Sequence, residues 1–129
     1  MKTIVLLFLL AFTHLVHAQK NQALKSRFYG TYQGEIAAYK MNTGDEVINI
    51  QPVAISIRIA KESISFDIGQ KKQEGSYKVL FEAEKYYVIE AKLEDQFSLE
   101  RIVVFKQGNV ISRDGFFPQP SVYLKKMKK

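Results

Sequence analysis

His14 and His17 stand three positions apart, a spacing at which two imidazoles could share a metal ion or a proton. They are the only histidines of the chain, and it has no cysteine and no tryptophan. Their context argues against chemistry. Met1-Lys2-Thr3 is a basic start, Ile4 to Phe12 is a short apolar core, and Val16 and Ala18 are small residues at the −3 and −1 positions. That is the pattern of a cleavable secretory leader, with cleavage expected before Gln19. The apolar core is about half of the roughly 20 residues a membrane span needs, so the leader is expected to be removed rather than kept as an anchor. What is exported, residues 19–129, then lacks both His and Cys. Ser-His-Asp and Cys-His arrangements and most zinc or haem sites fall away with them.

The remaining candidates are carboxylates, arginines and aromatic loop residues. Asp45-Glu46, Glu82 with Glu84, and Glu94-Asp95 sit in breaks between apolar runs, where acids are usually solvated. No Asp-x-Asp-x-Asp-Gly loop suggests calcium, and the glycines stand alone rather than in a phosphate-binding loop. No metal, no cofactor and no catalysis are expected. Arg58 falls on the wet face of its run. Arg101 shares a phase with Leu99 and Val103, which points it inward, to a structural ion pair or to the headgroup of an anionic ligand. Phe116 and Phe117 are adjacent, and in an extended segment only one of them can face a core. Either one is exposed at a domain end as a contact anchor, or Phe116 plugs that end while Phe117 covers a strand.

The elements that must position these residues follow from period-two alternation. Gly30 to Lys40 alternates, as do Val53 to Ile59, Ile64 to Ile68, Tyr77 to Phe81, Tyr87 to Ala91 and Phe97 to Lys106. Val110-Ile111 and Val122 to Leu124 close the series, giving about eight strands. The gaps are hairpin-sized and rich in Gly, Asn and Asp, apart from the longer Arg113–Ser121 connection. Pro52 marks a bulge or the start of an edge segment. Only Gln22 to Phe28 suggests a short N-terminal helix. Serial hairpins make antiparallel neighbours. An all-β meander closing into a barrel is therefore expected, with a β-sandwich as the alternative. Residues 1–18 form the leader, 19–126 a single domain and 127–129 the end of a basic tail.

The run Phe28-Tyr29-Gly30-Thr31-Tyr32-Gln33-Gly34-Glu35-Ile36 carries a family resemblance. Gly-x-Tyr-x-Gly opening the first strand resembles the Gly-x-Trp start of lipocalins and other calycins. It is closer still to the Gly-Thr-Tyr-x-Gly opening of small secreted bacterial calycin-like domains. The resemblance implies a barrel with a cup, and Tyr32 stands where the usual Trp would be. Candidate barrel-lining residues are Tyr32, Ile36, Ile57, Phe66, Tyr77, Tyr87, Arg101 and Phe105, with Ile55 and Phe81 beside them. These side chains either surround a lipophilic pocket or fill the barrel as ordinary core.

The net charge of +6 is concentrated rather than spread. Lys2 leaves with the leader, and Lys125, Lys126, Lys128 and Lys129 carry most of the rest. The body is near neutral, which excludes the broad basic face of a nucleic-acid binder. The expected function is that of a periplasmic or extracellular binding module without a transmembrane segment. It takes either a small hydrophobic ligand in the cup or, with a filled core, a protein partner through its loops.

Overall fold

The computed structural model describes residues 22–129, so the leader with His14 and His17 lies outside the described part. A single 3-10 turn, Ser26–Phe28, stands where the sequence suggests a longer helix. Ten strands follow: β1 (Gly30–Ile36), β2 (Tyr39–Asn42), β3 (Val47–Ile50), β4 (Val53–Ile59), β5 (Ser63–Ile68), β6 (Lys71–Glu82), β7 (Tyr86–Leu93), β8 (Glu100–Phe105), β9 (Val110–Arg113) and β10 (Val122–Lys126). Eight of them close into an antiparallel barrel in the order β1-β10-β9-β8-β7-β6-β5-β4. This is the expected meander, and the sandwich alternative is set aside.

The other two strands correct the sequence reading, in which Gly30 to Lys40 is one strand. Ile36 pairs with Val53 and Tyr39 with Ile50, so β1–β2 and β3–β4 are one long hairpin held in constant register. Its ladder breaks where Ala37-Ala38 faces Gln51-Pro52, and Pro52 has no N–H to donate there. Beyond the break, β2 and β3 leave the barrel wall and form a separate two-stranded tip. Tyr39, Met41, Ile48 and Ile50 are half-buried on one face of the tip, whereas Lys40, Asn42, Val47 and Asn49 are exposed on the other.

Alternate residues of the barrel strands turn inward and form one core. Tyr32, Ile36, Ile57, Phe66 and Tyr87 are all buried in it, and Tyr77 packs against it half-buried. Three expected inward residues point outward instead. In β8 the buried phase is Glu100, Ile102 and Val104, so Arg101 is exposed and Phe105 lies on the outer wall, stacked on Tyr123 with centroids 6.3 Å apart. Both faces of this run are apolar in sequence, and pairing with β7 selects the one that enters the core. Phe81 is turned outward by a register shift between Val79 and Phe81.

The strand directions define two ends. At the base, Leu24 and Phe28 are buried under the barrel, and Phe28 meets Tyr87 edge-on at 5.4 Å. The Tyr32 hydroxyl donates to the Phe28 carbonyl at 2.8 Å, and that of Tyr77 to the Ala60 carbonyl at 2.6 Å. At the mouth stand the β2–β3 tip, the Glu94–Leu99 loop and the Asp114–Ser121 loop.

Two measurements test this packing. A Cβ at Gly75 would run into the Lys92 carbonyl oxygen of the paired strand, so backbone and not a pliable side chain must give way. Gly75→Ala is expected to lower stability by about 2–3 kcal/mol, read as a lower urea midpoint at unchanged slope. Burial pushes the Tyr32 phenol up to about 12. Burial, and then the neighbouring Tyr29, does the same for Tyr77, also to about 12. Unfolded tyrosines ionise near 10.0, so the fold holds these protons after the unfolded chain has lost them. Stability is therefore full below pH 10 and falls as pH rises from 10 to 12. Tyr32→Phe should flatten that fall in alkaline unfolding curves.

Candidate functional site

Glu100 opens β8 and Arg113 ends β9, each in the inward phase of its strand. Both are charged, yet they are only 2% and 3% exposed. The strands bring them together as a two-point pair: Arg113 Nε donates to Glu100 Oε2 and Arg113 Nη2 to Glu100 Oε1, both at 3.0 Å. The remaining polar groups extend this pair into a chain. Arg113 Nη1 donates to Gln119 Oε1 at 2.6 Å. Gln96 Nε2 donates to Glu100 Oε1 at 3.1 Å, and Gln73 Nε2 to Gln96 Oε1 at 3.3 Å. The guanidinium lies 5.9 Å from the centroid of the Phe66 ring and 6.0 Å from that of Phe116. Among the described residues, every buried side-chain nitrogen and oxygen has a partner.

The energetic consequence follows from burial. An ion pair under a barrel mouth gains little net stability, because both charges have lost their water. Removing one partner leaves the other charge buried and alone, which costs far more. What the pair does secure is position. Through Gln96 it holds the Glu94–Leu99 loop, and through Gln119 it holds the Asp114–Ser121 loop. Above it lies a shallow cleft of about 270 Å³, walled by Tyr39, Met41, Ile68, Phe116 and Pro118.

The two loops carry the most exposed aromatic side chains of the described chain. Phe97 and Phe117 are fully exposed at 109% and 99%, and Phe116 is partly turned back toward Arg113. Leu99 and Val47 add exposed apolar surface on the same end. Of the two arrangements open for the Phe pair, the one with an exposed residue at a barrel end is found. Phe117 does not cover a strand.

The expected lining residues meet a different fate. Tyr32, Ile36, Ile57, Phe66 and Tyr87 are brought together, but as packed core, with exposures of 1% or less. Arg101 and Phe105 are not part of that group. The inward arginine is Arg113 rather than Arg101, and the sequence carries a signal for it: Arg113 continues the phase of Ile111, as Glu100 precedes Ile102 and Val104. Gln73, Gln96, Gln119 and Tyr39 carry no comparable signal, because the tertiary fold alone brings them to one end.

A second concavity, about 790 Å³, lies on the outer wall across β1, β4, β5, β6 and β7, among Ser56, Arg58, Ser65, Ser76 and Lys92. Asp67, Glu74 and Glu94 balance its cations, leaving no concentrated charge. Among the described residues, no group of three or more His, Cys, Asp or Glu is placed to hold a metal ion, and no helix is long and apolar enough to cross a membrane. Comparison with known proteins yields no matching family model, no matching curated protein and no matching solved structure.

Arg113→Met is expected to destabilise the protein by about 3–5 kcal/mol, since it strands the Glu100 carboxylate. The double substitution Arg113→Met with Glu100→Leu should recover most of that loss. Urea unfolding of the two single variants and the double variant tests the coupling; additive losses would refute it.

Proposed function

We propose that this chain is an exported binding module of calycin-like type that engages a macromolecular partner through its barrel mouth. The reading rests on one observation above all. Phe97 and Phe117 stand fully exposed on two loops that a buried ion pair holds from beneath. A solvated phenylalanine gives up a large apolar area when a partner covers it, and aromatic side chains supply much of the energy of protein interfaces. Loops on a rigid barrel are where such contacts are usually placed.

The filled interior argues for the same site. Tyr32, Phe66 and Tyr87 occupy the space that a small hydrophobic ligand would need. The mouth cleft, about 270 Å³, falls just under the roughly 300 Å³ at which small-molecule sites begin. Export rests on the leader pattern of residues 1–18, and calycin-like character on the Gly30-x-Tyr32-x-Gly34 opening together with the closed eight-stranded meander. Binding rather than catalysis is in keeping with an exported segment that has neither His nor Cys.

Native mass spectrometry of the protein purified from its own host tests this. The wild type is expected to carry a macromolecular adduct that the double variant Phe97→Ser, Phe117→Ser lacks at an unchanged melting temperature. A small lipophilic adduct retained equally by both forms would sink the reading in favour of a ligand inside the barrel.

A further inference from the structure

The two ends of the barrel differ in charge. Around the mouth, exposed Asp45, Glu46, Glu94, Asp95 and Asp114 outnumber Lys40, Lys71 and Arg101, and Lys72 is taken up by Glu74 at 3.6 Å. Around the base, exposed Lys25, Arg27, Lys61, Lys85, Lys128 and Lys129 outnumber Glu62 and Glu84. There Glu82 is neutralised by Lys106 at 2.6 Å, a hydrogen bond that also holds its carboxyl below the usual range. Apolar surface is open at both ends as well. Phe97, Phe117, Leu99 and Val47 are exposed at the mouth, and Leu80, Phe81 and Met127 at the base. Met127 is held in place, because its backbone N–H donates to the Thr31 carbonyl at 2.8 Å.

An acidic rim around exposed phenylalanines calls for a partner that is basic and offers apolar side chains. The base of this same chain has that chemistry. We propose that the mouth of one copy docks on the base of a second copy, head to tail. In this contact the mouth phenylalanines meet Leu80, Phe81 and Met127, while the acids of the rim face the base cations. It rests on the mouth being a contact surface, and it adds the partner. Mouth-to-mouth or base-to-base pairing would set like charges against each other, which electrostatic complementarity disfavours. The barrel wall closes on itself without a free strand edge, so the contact is made end-on, where the two-stranded β2–β3 tip also stands, rather than by strand addition at the wall. Since the two surfaces differ, each added copy leaves one mouth and one base free, and assembly continues until it closes into a ring or runs on as a filament.

Sedimentation velocity on the purified exported chain tests the proposal. The wild type is expected to form concentration-dependent oligomers at low salt, with association about tenfold weaker at high salt as the facing charges are screened. The mouth variant Phe97→Ser, Phe117→Ser and the base variant Phe81→Ser, Lys128→Glu should each be monomeric. An equimolar mixture of the two should give a discrete one-to-one dimer, because each variant keeps one competent surface. A wild type that stays monomeric at low salt would overturn the proposal. So would a mouth variant that still assembles, or a mixture that stays monomeric. If the wild type is monomeric while the mouth variant still loses a different macromolecular adduct in the mass spectrum, self-docking fails and the mouth remains the binding surface.

Discussion

β1 is hydrogen-bonded on both sides, to β4 from Gly30 through Ile36 and to β10 at Tyr32 and Gln33, and that double pairing closes the sheet. Closure forces alternate side chains of every strand into one interior. With Tyr32, Phe66, Tyr87 and a set of isoleucines turned inward, the interior is occupied by the chain's own side chains. A barrel closed and filled in this way has its wall and two ends left for recognition. At the base, Leu24 and Phe28 are tucked beneath the strands, with the Tyr32 hydroxyl bonded to the Phe28 carbonyl.

The mouth is organised differently, by charge instead of apolar packing. The Glu100–Arg113 pair sits where the apolar core gives way to solvent, and its spare hydrogen-bonding capacity goes to Gln96 and Gln119. An apolar pair of similar volume would serve stability as well or better. It would provide no donor or acceptor for the loop amides, and the loops would lose their fixed placement. The cost of burying two charges is thus coupled to the presentation of Phe97 and Phe117.

Much of this architecture is legible in the order of residues. Where one face of a strand is apolar and the other polar, as in Val53–Ile59 with Ser56 and Arg58, the phase is unambiguous, and the inward residues Ile55, Ile57 and Ile59 are buried. Phe97 to Lys106 defeats the same logic because both faces are apolar. Only the pairing Ile89↔Ile102 and Val88↔Val103 decides between them, and it sends Arg101 and Phe105 outward. Alternation misplaces Phe81 because a bulge reverses phase without a marker in composition. The β2–β3 tip is hidden because the ladder breaks at Ala37-Ala38 while apolar and polar residues go on alternating on either side.

Local events are legible in the residues alone: period-two strands, turn-sized gaps, the absence of His and Cys from residues 19–129, and a Phe pair of which, in an extended segment, only one could face a core. These depend on side-chain chemistry and on neighbours a few residues away. Tertiary contacts, in turn, set the closure of β1 on β10, the full core, and the convergence of Glu100, Arg113, Gln73, Gln96 and Gln119 at one end. Those contacts join residues far apart in the chain, and their geometry follows from sheet closure and register, which no local pattern encodes.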